Sequence, residues 1–337
     1  MEFSFKSVML GLMHLKASRL FIAFVCFILA SSCNKSTSDP SRSSSGVDTV
    51  PSENIVDQDL PDIRKNGRLV AIMDNSSTGL FLYRGQTMGY EYELLKMFCD
   101  SVGLELEIKL ESNLEKAFKM LNSGECDVLA YNLTVTKERK KRIAFTHYHN
   151  LVRQVLVQRK PKDWRKLKLH EIEKTLIRYP VDLIGNEVHV RYHSAYQHRL
   201  SNLSDEIGGD IIIIEDFPDV ETETIIKKVA KGEVEYTVAE EDIALVNATY
   251  YPILDIKTPV SFPQQIAWGV RKNSDSLRSL MNNWILEMKK TPDYYAVYNR
   301  YFKSSKASKI RNRSEFSTMG GGKISPYDDL IKTGAAE

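Results

Sequence analysis

Between Leu69 and Ala130 short apolar runs alternate with helical stripes, and that order leaves few folds open. Leu69-Val70-Ala71-Ile72-Met73 reads as a strand, and Leu94, Leu95, Phe98 and Val102 recur at helical spacing. Leu104, Leu106, Ile108 and Leu110 alternate as a second strand. Leu114, Ala117, Phe118 and Leu121 form a second helical stripe, which Gly124 stops, and Val128-Leu129-Ala130 is a third strand. Strand, helix, strand, helix, strand implies a parallel sheet with right-handed crossovers. Ligands of such sheets bind beyond the carboxyl ends of the strands, here Asp74 to Thr78 and Tyr131 to Thr134.

The theme repeats further on. Val181 to Val190 leads into a strand, and His193-Ser194-Ala195-Tyr196 starts a helix. Ile211 to Ile214 is a continuous β-branched run, the pattern of a buried parallel strand. Thr222 to Ala230 reads as a helix, and Gly232 to Glu240 mirrors Gly124 to Tyr131. Pro263 to Val270 reads as a strand. Helical stripes follow at Leu277, Leu280, Met281, Trp284, Ile285 and Met288, then at Tyr294, Val297, Tyr298 and Tyr301.

The densest polar chemistry follows the third strand. Thr136 is a good N-cap, which puts Lys137, Glu138 and Arg139 in the first helical turn. A cation is slightly misplaced there, because the helix dipole favours anions. A planar guanidinium at that point is suited to holding a carboxylate bidentately. From the window alone, Arg139 is equally well one of five basic residues (137, 139, 140, 141 and 142) on a solvated face.

Two spaced motifs shift that balance. Gly89-Tyr90-Glu91-Tyr92-Glu93-Leu94 and Asn132-Leu133-Thr134-Val135-Thr136-Lys137-Glu138-Arg139 resemble the signature and the ligand segment of the family 3 solute-binding proteins, bacterial periplasmic receptors for amino acids. Tyr92 is a bulky departure, and Asn132 stands where a serine is usual. The resemblance covers about residues 66 to 303. It implies an α/β fold of the two-lobed type II periplasmic binding class, each lobe a mostly parallel sheet flanked by helices. Lobe 1 would be discontinuous, 63–158 and 262–303, with 159–261 as lobe 2. A two-crossing hinge would lie near 157–161 and 258–263. It also implies roles. Arg139 would anchor a ligand carboxylate, helped by Thr134 and Asn132. Glu240, where the family has an aspartate, would pair with the α-amino group. Ser194 would donate from the second lobe, where His193 replaces a glycine and adds bulk. Asp74 ends the first strand beside the site. Phe81 and Tyr83 are either an aromatic wall or packing. His147 and His149 read as solvated surface, and Glu241 and Asp242 as surface charges.

The closing segment, Lys323 to Leu330, resembles the lead-in to the lysozyme-like domain of membrane-bound lytic murein transglycosylases, whose receptor-like N-terminal part is the branch this chain most resembles. The implied function is a receptor for an amino acid, a short peptide or a cell-wall muropeptide, serving sensing or transport beside an ABC permease or the cell-wall machinery. The alternative is a remnant or regulatory part of a lytic transglycosylase whose catalytic domain is not in this chain. Either way the chain itself is expected not to be an enzyme.

The ends bear on location. Lys6, Lys16 and Arg19 precede an apolar run from Leu20 to Ala30, short for a membrane span. Leu29-Ala30-Ser31-Ser32-Cys33 resembles a lipoprotein signal, with residues 1–32 removed and Cys33 acylated. Asn34 is not the aspartate that commonly retains lipoproteins at the inner membrane, so a periplasm-facing anchor in the outer membrane is expected. Residues 33–62 read as a flexible tether, since 34–54 are rich in Ser, Thr, Asp and Pro, and 304–337 as a polar tail. Without residues 1–32 the chain carries 43 basic and 43 acidic residues, which gives no support for a nucleic-acid partner. The basic cluster around Trp164 reads as a solvated connector or a contact for anionic headgroups. No Cys or His spacing suits a metal, and no cofactor is implied. Cys99 and Cys126 remain; they pair or, as the apolar helical position of Cys99 favours, stay free and buried.

Overall fold

The computed structural model describes residues 55–304 and, beyond them, residues 306, 310, 311, 314, 317, 318, 323 and 328. The expected signal peptide, Cys33 and most of the tether and tail lie outside the described residues.

Leu60–Asn66 (α1) opens the fold under an Asp59 capping box. Arg68–Met73 (β1) is followed by the hairpin Phe81–Tyr83 (β2) and Gln86–Met88 (β3). Tyr90–Val102 (α2), Glu105–Leu110 (β4), Leu114–Asn122 (α3), Val128–Leu129 (β5), Lys137–Arg142 (α4) and Ala144–Phe145 (β6) complete the first pass. Next come Asn150–Val152 (β7), Gln154–Arg159 (β8), Leu169–Glu173 (α5), Glu187–Val190 (β9), Ala195–Ile207 (α6) and Ile212–Glu215 (β10). Thr222–Lys231 (α7), Tyr236–Glu240 (β11), Glu241–Tyr250 (α8) and Leu254–Pro259 (β12) finish the second lobe. The chain returns through Gln264–Ile266 (β13), Gly269–Val270 (β14), Asp275–Met288 (α9) and Pro292–Tyr298 (α10).

The strands form two five-stranded sheets, ordered β4-β1-β5-β14-β6 and β10-β9-β11-β8-β12. In the first, β1 is parallel to β4 and β5, and the returning β14 is antiparallel to β5 and β6. In the second, β9 is parallel to β10 and β11, while β8 runs antiparallel to β11 and β12. Each sheet has apolar clusters on both faces. Tyr90, Phe98 and Trp268 lie on one face of the first sheet, Phe118, Leu121 and Tyr131 on the other. The second sheet is covered by clusters around Leu200 and around Ile226. The expected α/β, two-lobed architecture is therefore the one observed.

The glycine of the first motif has a steric reason. Gly89 caps α2 at φ +145°, and a Cβ there would lie 2.0 Å from the Gly79 carbonyl oxygen. Only a residue without a side chain lets the hairpin and the loop after β1 approach so closely.

Several details depart from the sequence reading. β8 already belongs to the second sheet from Gln154, so the chain enters that lobe earlier than the 157–161 expected. The antiparallel pair β7 and β13 lies just before and after the two passages, and Gln154 N donates to Ser261 Oγ at 2.8 Å beside them. β10 is an edge strand rather than a buried one, and Ile212 is 44% exposed. Packed structure begins before residue 63, since Val56 N bonds Asn122 O and Asp59 caps α1. Part of the expected tail also packs: Thr318 N donates to Leu82 O at 3.0 Å, and Leu82 N to Thr318 Oγ1 at 3.1 Å. Cys99 and Cys126 are free and buried.

Candidate functional site

The carboxyl ends of β1, β4 and β5 from one lobe face those of β9, β10 and β11 from the other. Between them lies a cleft lined by Asp74, Asn132, Arg139, Ser194 and Glu240 among the expected residues. Arg191, Tyr196, Glu221 and Glu223 line it as well. The lobes are closed on each other, and polar side chains bridge them directly.

Arg139 reaches this cleft because Thr136 caps α4, its side chain accepting from Arg139 N at 3.2 Å. The guanidinium then turns back, and Nη1 donates to Thr134 O at 3.0 Å. Burial pulls the guanidinium down to about 10, with Glu240 opposing that drop and Arg191 adding to it, so it stays cationic at neutral pH. Thr134 is buried and its hydroxyl donates across the lobes to Glu240 Oε1 at 3.2 Å. Tyr196 OH donates to the other Glu240 oxygen. Burial pushes Glu240 up to about 8, helped by Asp242 and opposed by Arg139.

Asn132 donates to Asp242 Oδ1 at 3.5 Å, and Asn150 to Asp242 Oδ2 at 3.2 Å. Asp242 is thus a buried partner of the first lobe, pushed up to about 6 by burial, rather than the surface charge expected. The far end of the cleft is bound differently. Arg191 Nη1 donates to Asp74 Oδ2 at 3.2 Å and Nη2 to Ser112 O at 2.5 Å. Ser112 Oγ donates to Glu221 Oε1 at 2.7 Å, and Ser77 N to Glu223 Oε1 at 3.0 Å.

Ser194 is buried in the cleft wall, its hydroxyl without a partner. His193 does take the conformation a glycine would favour, φ +51°, but it is not among the residues that line the cleft. It stacks on Tyr192 and meets Glu115 of the first lobe at 3.0 Å. Phe81 is not part of an aromatic wall: it is 2% exposed and packs edge-on against Tyr301 in the first core. His147 is exposed as expected, but His149 is buried between Tyr90 and Trp268, where burial holds it neutral, near 3.

Arg191, Tyr196, Glu221 and Glu223 were missed by sequence reasoning. The available signal was position: Arg191 directly follows β9, and Glu221 and Glu223 follow β10, the strand ends where α/β sheets bind ligands.

Glu240, Glu223 and Asp242 are all raised, to about 8, 7 and 6, mainly by burial. Their neighbours are Arg139, Thr134 and Tyr196 at Glu240, Ser77, Asp74 and Glu221 at Glu223, and Asn132 and Asn150 at Asp242. A raised carboxyl binds its proton more tightly when folded, so its stabilisation is complete below its unfolded value near 4 and is lost as pH rises through the folded value. The melting temperature of the unliganded chain should therefore fall between about pH 5 and pH 8. A thermal-melt series across that range checks it, and Glu240→Gln should flatten the upper part. A melting temperature that rises over the same interval would refute the assignment.

Comparison with known proteins bears on the family. The bacterial extracellular solute-binding proteins, family 3, match residues 69–304. Membrane-bound lytic murein transglycosylase F of Desulfosudis oleivorans is 33% identical over 246 residues, 73% of this chain and 51% of that protein. The chain thus spans about half the length of that relative. Among solved structures, the amino acid ABC transporter substrate-binding protein AbpA from Streptococcus pneumoniae, bound to L-arginine, superposes with a TM-score of 0.60 at 20% identity, over 73% of this chain and 99% of that one. An ancestral arginine-binding protein bound to arginine gives 0.58 at 23%, over 70% and 98%. At these identities the structures speak for the fold alone.

Proposed function

Because this chain belongs to the bacterial extracellular solute-binding proteins, family 3, we propose that it is a receptor that closes its lobes on a small zwitterion, an amino acid or the end of a short peptide. The observation that carries this reading is the pairing of Arg139 in one lobe with Glu240 in the other across a single cleft. A carboxylate at Arg139 and an ammonium at Glu240 would be recognised together only when the lobes meet. A ligand that touches both lobes binds the closed form better and shifts the population toward it. His193 does not line the cleft and is engaged by Glu115, so its bulk is no obstacle to a free amino acid.

The reading extends to place and partners. Acylation at Cys33 would hold the receptor at a membrane facing the periplasm, with an ABC permease or the cell-wall machinery as its listener. The likeness to lytic murein transglycosylase F supports the second listener, with a muropeptide stem as ligand and the chain as the regulatory part of such an enzyme. No catalytic role is assigned to the cleft.

Small-angle scattering with and without each of a set of amino acids tests the closure. Saturating ligand should reduce the radius of gyration of an open population. Calorimetric binding with no change in the scattering curve would sink hinge closure. No binding by any of them would sink the free amino acid as the ligand.

A further inference from the structure

We infer that the end of the second lobe opposite the cleft is a docking surface for a bilayer that carries anionic phospholipid, with Trp164, Leu167 and Leu169 set among the basic side chains that meet its headgroups. The inference stands apart from the reading of the cleft.

The place follows from the sheet. β11 runs antiparallel to β8, with Glu240 opposite Gln154 at the cleft and Tyr236 opposite Gln158 at the other end. The chain leaving β8 at Arg159 therefore emerges about 14 Å from the cleft end of that strand pair. It rejoins the lobe at Ile177, where Gln158 Nε2 donates to Ile177 O and Ile177 N to Gln158 Oε1, both at 2.9 Å. Between these points it is held by two successive turns. Trp164 N donates to Pro161 O at 3.0 Å and Lys166 N to Asp163 O at 2.8 Å. The buried Ile172 of α5 anchors the rest.

This segment carries a charge surplus that the lobe does not neutralise. Residues 159–174 hold seven basic side chains and three acidic ones. Elsewhere in the lobe bases have carboxylates: Arg153 has Glu241, Arg199 has Glu206 and Lys228 has Asp216. Among the described residues none of these seven has one. Arg159 and Lys160 donate instead to the carbonyls of Val229, at 3.4 Å, and Pro252, at 2.8 Å. Two of the three acids are engaged already, Glu171 by Lys168 N at 2.7 Å and Glu173 by Arg178, which leaves Asp163. Arg159, Lys160, Lys162 and Lys231 line a groove of about 480 Å³ that also holds Glu235. Of those four, only Lys231 has a carboxylate, Glu233 at 3.4 Å.

Charge alone would suit any polyanion, and the apolar residues select the bilayer. Leu167 lies between Lys166 and Lys168 and is 36% exposed; Leu169 follows at 68%. The half-buried Trp164 ring has the Lys160 ammonium 4.6 Å and the Arg165 guanidinium 5.1 Å from its centre. Indole and leucine interleaved with lysine and arginine suit a membrane interface. The apolar groups enter at the level of the headgroups, and the cations reach the phosphates. A hydrated glycan or a nucleic-acid backbone offers leucine nothing to enter.

The experiment is vesicle flotation of the full chain carrying Cys33→Ala, so that no acyl chain contributes. Vesicles of phosphatidylcholine alone are compared with vesicles in which about one lipid in three is phosphatidylglycerol. The anionic vesicles should bind at least about tenfold more tightly, and less so as salt rises. Lys162→Gln, Arg165→Gln, Lys166→Gln and Lys168→Gln together should remove that preference. Among the described residues these four side chains make no hydrogen bond, so the variant should fold, which circular dichroism checks. Its amino-acid binding should be unchanged, because the cleft lies at the other end of the sheet. Leu169→Ser should weaken binding to the anionic vesicles severalfold. Equal binding to both kinds of vesicle overturns the inference. A preference that survives in the fourfold variant also overturns it, by placing the contact elsewhere. Binding indifferent to Leu169→Ser, or purified sacculi bound as tightly as the anionic vesicles, overturns the bilayer as the partner.

Discussion

Arg139→Ala lowers the affinity for any amino acid that binds the cleft by about 2–5 kcal/mol, the range for truncating one partner of a desolvated charge pair. The cause is local. The guanidinium is fixed by Thr134 O at 3.0 Å and is pulled down by burial, so it has little water to replace a lost partner. Without it, a ligand carboxylate would be buried against Asn132 and Ser194, which are neutral. Glu240 would also lose the cation that opposes its protonation, so the α-amino end would meet a weaker anion at neutral pH. Arg139→Lys should lose part of the affinity too, because a point charge does not reproduce the planar fork. Calorimetry on the two variants decides it. Affinity unchanged in Arg139→Ala would remove the anchor from Arg139 and leave Arg191 as the other guanidinium in the cleft.

Why Arg139 could be found from sequence, and Arg191 could not, is a matter of local against tertiary information. Thr136 and Arg139 are three residues apart on one cap, and that geometry is set by neighbours in the chain. The contacts of Arg191 are 117 residues away at Asp74 and 79 away at Ser112, and no local pattern encodes them. Asp242, which follows Glu240 and Glu241 in a run of acids, reads as a surface charge from sequence. It is buried only because Asn132 and Asn150 arrive from the other lobe. His149, which with His147 flanks Tyr148, reads as solvated from sequence. Its burial comes from Tyr90, Trp268 and the Tyr294 hydroxyl, which bonds His149 O at 2.6 Å. The same limit explains β10. Four successive isoleucines fit a central parallel strand, but the order of strands is fixed by where crossovers land, and here it leaves β10 at the edge. Strand-helix alternation was legible because it depends on periods of two and 3.6 along the chain, and the glycine stops because glycine takes the left-handed conformation that ends a helix, as Gly124 and Gly232 do at φ +83°.

Arg271→Ala should destabilise the fold by about 3–5 kcal/mol, the cost of leaving a buried charge without its partner. Arg271 is fully buried just after β14, and its fork gathers three backbone carbonyls and one carboxylate. Nη1 donates to Leu121 O at 3.2 Å and to Cys126 O, Nε to Gln58 O at 3.2 Å, and Nη2 to Asp127 Oδ1 at 2.9 Å. Leu121 closes α3, Asp127 precedes β5, and Gln58 precedes α1, so one side chain ties the returning strand to three earlier elements. Asp127 in turn accepts from Val70 N at 3.0 Å in β1 and from Gln58 Nε2 at 3.2 Å. Alanine would leave the buried Asp127 carboxylate without its cation, held only by Val70 N and Gln58 Nε2, and would take one donor each from the Leu121, Cys126 and Gln58 carbonyls. Arg271→Lys keeps the charge but lacks the five-donor fork, so its loss should be intermediate. The double variant Arg271→Ala with Asp127→Ala should cost less than the sum of the two singles, because both remove the same bond. Urea unfolding with a constant slope measures each value. A loss below about 1 kcal/mol in Arg271→Ala would mean that water satisfies the freed groups and that the ion pair is not what holds β14 to β5. That strand pair bears on the cleft as well, since β5 runs directly into Tyr131 and Asn132.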